Sequence, residues 1–158
     1  MHPVLLFLAA TPLTTAPQTD RPSSALEIAV PGKPARARVW TAKDSEGRLR
    51  SYASLSLDGV TFTAPRETRN ELELRYGRFD PTEEGPVVPE KLRAQRSNRL
   101  FVVQYHTQGL EDYRDVLREL GAEVHLFLAH NANVVELEPS RLATVRALPF
   151  VRAVRPFH

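Results

Sequence analysis

The last third of the chain, from Arg99 to His158, constrains the fold most, because its predicted strands carry apolar residues on both faces. Leu100 to His106 reads as a strand, with Phe101, Val103 and Tyr105 on one side and Leu100 and Val102 on the other. Leu110, Tyr113, Leu117 and Leu120 then form the apolar stripe of a helix. Glu111 and Asp112 stand in its first turn, where carboxylates suit the dipole, and Gly121 follows as a stop. Val124, Leu126 and Leu128 alternate with Glu123, His125 and Phe127 in a second strand. A turn over His130 to Asn133 returns the chain along Val134 to Leu137. Pro139 suits the first position of a second helix, whose face is Leu142, Val145 and Leu148 and which Pro149 ends. Val151, Ala153 and Val154 make the last strand.

The order strand, helix, strand, strand, helix, strand, with a hairpin in its middle, predicts an α+β fold: a ferredoxin-like βαββαβ antiparallel sheet with two helices on one face. Two helices cover only one face of such a sheet. The other face is expected to be open and apolar, which points to a binding module rather than an enzyme.

Upstream, residues 26–78 read as a small antiparallel β region. Ala35, Ala37, Val39 and Thr41 alternate with Arg36, Arg38 and Trp40, and Leu49 to Leu57 alternates similarly after a turn at Lys43 to Gly47. Asp58-Gly59 is a two-residue hairpin signal before Val60 to Thr63, and Leu72, Leu74 and Tyr76 suggest one more strand. Residues 79–98 hold Pro81, Pro86 and Pro89 among charges, the composition of a linker or an extended wrapping segment. Residues 1–25 read as a flexible leader, rich in Thr, Pro and Ser after the apolar run Val4 to Ala10. That run is short and has no Lys or Arg before it, so a cytoplasmic protein is expected, with export through a weak signal as the alternative.

Composition narrows the chemistry. With no Cys, the chain has no disulfide, thiolate nucleophile or Cys-based zinc site, and no apolar run is long enough for a transmembrane helix. A net charge of +2 falls short of the basic excess of a nucleic-acid binder. No Gly-x-Ser-x-Gly elbow or phosphate-binding glycine loop is present, so no catalytic residue and no cofactor are assigned. Arg36, Arg38, Arg48 and Arg50 read as a solvated strand face, with an anion-binding patch as the sharper alternative. His125 and His130 flank a hairpin tip, but no third ligand stands at a recognised metal spacing, so no metal is assigned either. Leu100-Phe101-Val102-Val103 resembles the first strand of RNA recognition motifs. The third strand, Ala132 to Glu136, lacks the aromatics on which bases stack, so no nucleic-acid partner is expected.

Four segments together resemble a known family. Arg99 to Tyr105, Leu117 to His125, Phe127 to Ala132 and Arg146 to Val154 look, in this order and spacing, like the propeptide of subtilisin-like serine proteases, the inhibitor I9 type. Tyr76 to Pro81 is similar to the segment that precedes this domain in some bacterial subtilase precursors. The resemblance implies an inhibitor, and a folding chaperone, of a cognate subtilisin-like serine protease. It implies docking through the open sheet face, with the C-terminal segment lying strand-like in the substrate cleft. The residues so implicated are Leu100, Val102, Gln104, Val154, Arg155, Pro156, Phe157 and His158. Where some relatives carry carboxylates after the last valine, this sequence has Arg155 and Phe157. Because the chain stops at His158, the expectation is a free-standing, propeptide-like protein acting in trans. The alternatives are a propeptide fragment of a secreted subtilase precursor, or a ferredoxin-like structural or ligand-sensing module that buries its open face in a homodimer.

Overall fold

Small apolar residues alternating with long polar ones set up the first sheet. The computed structural model describes residues 24–158, so the leader and its apolar run lie outside the described residues. Strands β1 (Leu26–Ala29), β2 (Arg36–Lys43), β3 (Leu49–Ser56) and β4 (Arg66–Thr68) pair antiparallel in chain order. Ala37 stands between Ile28 and Leu55, which places one apolar face inward; Ile28, Val30, Ala35 and Ala37 are all buried. The opposite face carries Arg36, Arg38, Trp40, Tyr52 and Arg50, with the Trp40 and Tyr52 rings stacked at 6.0 Å. Its arginines are internally engaged. Arg38 pairs with Glu27 and lies 3.6 Å over the Phe62 ring, Arg50 bridges Asp44 and Glu67, Arg48 holds Asp44 and Glu46, and Arg36 donates to the carbonyls of Lys33 and Ala35.

Asp58-Gly59 does not make the expected tight hairpin. The Asp58 carboxylate accepts from the backbone N–H of Val60 and Thr61 and from the Ser56 hydroxyl, winding the chain into a loop, and the strand that returns is β4 rather than Val60 to Thr63. Gly59 is required there. It has a positive φ of +80°, and a Cβ would stand 2.7 Å from the Pro34 carbonyl oxygen.

A two-stranded hairpin follows, β5 (Leu72–Leu74) and β6 (Gly77–Phe79). The second four-stranded sheet comprises β7 (Leu100–Tyr105), β8 (Glu123–Leu128), β9 (Ala132–Glu136) and β10 (Val151–Pro156), in the order β10-β7-β9-β8 with antiparallel neighbours throughout. Helix α1 (Glu111–Glu119) joins β7 to β8; a 3-10 turn at Pro139–Arg141 and helix α2 (Leu142–Arg146) join β9 to β10. The described residues therefore form an α+β protein, mostly antiparallel strands with two short helices.

Local chemistry explains the boundaries. Beyond α1, the Gly121 N–H donates to the Arg118 carbonyl and the Ala122 N–H to the Leu117 carbonyl, while Gly121 takes a φ of +84°. This paired termination needs a residue without a Cβ penalty. At the β8–β9 tip, His130 and Asn131 take consecutive positive φ values of 62° and 67°, the signature of a primed hairpin turn. Ala132 and Asn133, expected in the turn, belong to β9.

One apolar core joins the halves. Phe101, Val103, Tyr105, Tyr113, Leu117, Val135, Val145 and Phe150 pack in the same cluster as Ile28, Val30, Ala35 and Ala37 of the first β region. Tyr113 and Phe150 stack at 4.4 Å with rings 2° from parallel, and burial pushes the phenols of Tyr105 and Tyr113 up in pKa. Lys33, just after β1, ties the first region to α1 through Glu119 at 3.2 Å. No helix among the described residues is long and apolar enough to cross a membrane.

Candidate functional site

The face of the second sheet turned away from this core was expected to be open. The pleat places Leu100, Val102 and Gln104 on it, and the register adds Glu136, Val134 and Ala132 from β9 and Arg155 from β10. This face is covered by the protein's own chain. Leu72 and Leu74 of β5 and Phe79 of β6 pack over Val102, Ala132 and Leu128, with Phe157 at the margin. Val102 and Gln104 retain 1% of their exposure and Val134 2%. The physical reason is the one that made the face look like a dock: it is too apolar to stand in water, and the upstream hairpin β5–β6 supplies the apolar cover.

Polar contacts fasten the cover. Gln104 Nε2 donates to the carbonyls of Asn70 at 2.8 Å and His130 at 3.0 Å, while its Oε1 accepts from Arg152 at 2.8 Å, so this buried amide is satisfied. Arg152 also grips Asp80 with both terminal nitrogens, at 2.7 and 2.6 Å, in bidentate geometry. Partial burial pushes the Asp80 carboxyl up, but hydrogen bonds from Arg152 and Thr82 outweigh it and hold the pKa at about 2. Arg155 donates to the carbonyl of Pro81 at 2.7 Å and to that of Glu83. At the far end, His130 Nδ1 meets the Glu71 carbonyl and Asn131 donates to the Thr68 hydroxyl at 2.7 Å. His130 is therefore a latch between the hairpin tip and the cover. Among the described residues, no buried side-chain nitrogen or oxygen lacks a partner.

The eight residues expected to contact a protease divide accordingly. Leu100, Val102, Gln104 and Arg155 share the covered face. Val154 does not, because its partner in the register is Val103 and it packs in the main core on the helix side. An irregularity in β10 between Val151 and Ala153 sets this, because beyond it the strand's faces are exchanged. Pro156 pairs with Phe101 and is exposed. The final segment is held down: the Phe157 N–H donates to the Leu100 carbonyl at 2.9 Å, and His158 Nδ1 accepts from the Ala94 N–H at 2.9 Å beside the Tyr76 ring. Phe101, the aromatic weighed for base stacking, lies in the main core.

A second irregularity lies in β8. Val124 pairs with Val135 and Phe127 with Asn133, so one extra residue is inserted between them. It reverses the strand's alternation: Phe127 turns to the helix side, where it is exposed, and Leu128 joins the cover cluster. The sequence reading placed Leu128 with Val124. Sequence reasoning also missed Arg152 and Asp80. Their only signal was a cation inside an apolar strand and an acidic residue next to proline.

Residues 73–158 match the family described as Domain of unknown function (DUF8729), and the chain belongs to it. The matched stretch begins inside β5, so it takes in most of the cover together with the sheet beneath it. No curated protein and no solved structure matches the chain.

Proposed function

We propose that this chain is a noncatalytic protein-binding module of the ferredoxin-like βαββαβ kind, a propeptide-like inhibitor of a subtilisin-like serine protease whose docking face is held in a self-covered form. The observation that carries the reading is the strand order β10-β7-β9-β8, with both helical connections on the side away from the cover. The four segments that resemble protease propeptides fall on β7, on the turn from α1 into β8, on the β8–β9 hairpin, and on the passage from α2 into β10. Each is a structural joint of that arrangement. A partner using the face of Leu100, Val102 and Gln104 must displace β5 and β6. The short, partly exposed cover strands and their polar fastenings suit displacement better than a continuous apolar seam would.

The test is inhibition of a subtilisin-like protease by the intact chain and by Asp80→Ala, which removes the grip of Arg152 on the cover. The expected result is weak inhibition by the wild type and inhibition at least tenfold stronger by the variant. If neither chain inhibits or forms a complex, the protease reading is rejected. A self-contained structural module is the second reading, and the depth of burial of Val102 and Gln104 favours it. The same closure removes the reason for a homodimer through this face.

A further inference from the structure

At one corner of the second sheet three possible metal ligands converge. Glu123 of β8 and Glu136 of β9 are directly opposite in the register, and His125 lies two residues along β8 from Glu123. One ligand atom from each lies within 4.8 Å of the others. His125 Nδ1 is 3.6 Å from Glu123, and Nε2 is 3.5 Å from Glu136. Like charges directly across a strand pair repel. Arg99 relieves this at Glu136 alone, at 3.5 Å, while also reaching Glu138 at 2.9 Å. The extra residue in β8 follows immediately after Val124, at the position where the strand must keep His125 on the side of the two glutamates while turning Phe127 away.

We propose that Glu123, His125 and Glu136 bind a divalent first-row transition ion, of which Zn²⁺ is the natural probe. Two carboxylates and one imidazole supply three ligands and leave a fourth position for water. The imidazole nitrogen selects Zn²⁺ over Mg²⁺ and Ca²⁺, which prefer oxygen alone. One ion takes only one of the two ring nitrogens, and in a tetrahedral site with bonds of about 2.0–2.2 Å ligand atoms stand roughly 3.3–3.5 Å apart, so atoms now up to 4.8 Å apart must close by up to about 1.5 Å. The side chains of Glu123, His125 and Glu136 are all at least one-third exposed and have room to do so. The bound ion would pin the edge strand β8 to β9 and neutralise the opposed glutamates.

The experiment is calorimetric titration of Zn²⁺ into the full chain, His125→Ala and Glu123→Gln, with thermal melting of each and circular dichroism without metal as the folding control. The chain has no cysteine to compete for the ion. Expected are one saturable site in the wild type, a rise in melting temperature on loading, and at least tenfold weaker binding in both variants. Excess Mg²⁺ should not displace the ion. Failure of the wild type to saturate at millimolar Zn²⁺, or undiminished affinity in folded His125→Ala or Glu123→Gln, would overturn the proposal.

Discussion

The two faces of the second sheet are built from the same four strands and are closed in different ways. The helix side is sealed by bulk. Tyr105, Tyr113, Phe150, Leu117 and Val145 are essentially dry, and the first sheet adds its own aliphatic face to the same cluster. The other side has a smaller apolar centre of Leu72, Val102 and Ala132, ringed by a guanidinium–carboxylate pair, a buried amide and several side chain-to-carbonyl bonds. Burial without direction makes the first face the foundation of the fold. Directed polar contacts over a small apolar patch make the second a fitted lid, specific in position but modest in apolar area.

The contrast breaks most sharply at Phe150. It stacks on Tyr113 and packs near Tyr105, and Phe150→Ala should destabilise the whole chain by about 3–5 kcal/mol, since the emptied volume cannot collapse among aromatic neighbours. Urea unfolding followed by fluorescence and by far-UV circular dichroism should shift together. Leu72→Ala, equally buried but in the cover, should cost about 2–3 kcal/mol. Its signature is regional: hydrogen exchange should accelerate over residues 70–83 and leave α1 and β7 protected. Equal acceleration throughout would show that the two faces unfold as one unit.

How much of this was legible in the sequence follows the same division. The helix side was readable because its stripes are periodic: Tyr113 and Leu117 on α1 and Phe101, Val103 and Tyr105 on β7 stand where their spacing put them. The apolar character of the opposite face was readable as well, from Val102. Its occupant was not. Leu72, Leu74 and Phe79 belong to strands of three residues each, too short to show a period, and their targets, Val102, Leu128 and Ala132, lie far along the sequence on β7, β8 and β9. The two strand irregularities failed for a related reason. A single inserted residue leaves composition untouched while exchanging the faces of everything beyond it, which misplaced Leu128 and Val154. Polar closure is the least legible of all, because Gln104 and Arg152 gain meaning only from the carbonyls and carboxylate brought to them.

The smallest effect concerns proton uptake by Asp80. Its carboxyl sits at about 2 in the folded chain, whereas an unperturbed aspartate titrates near 3.9, so protonation at Asp80 is harder when the cover is closed. The stabilisation it gives is complete above about pH 4 and is lost as pH falls toward 2, with a magnitude of no more than about 1–2 kcal/mol for a side chain that retains some solvent. Other carboxylates add to acid sensitivity. Asp44 is also held at about 2, by the Arg48 backbone N–H and then by the Arg48 and Arg50 side chains, but it lies in the β2–β3 turn of the first sheet and is unchanged in a cover variant. Comparison with Asp80→Asn therefore isolates the lid. At pH 5 the wild type should be more stable by about 1–2 kcal/mol, and the two proteins should converge near pH 2, where the wild-type carboxyl takes up its proton. A stability difference that stays constant across this range would mean that Asp80 acts through shape or hydrogen-bond geometry. The charge pair with Arg152 would then not be what fastens the lid.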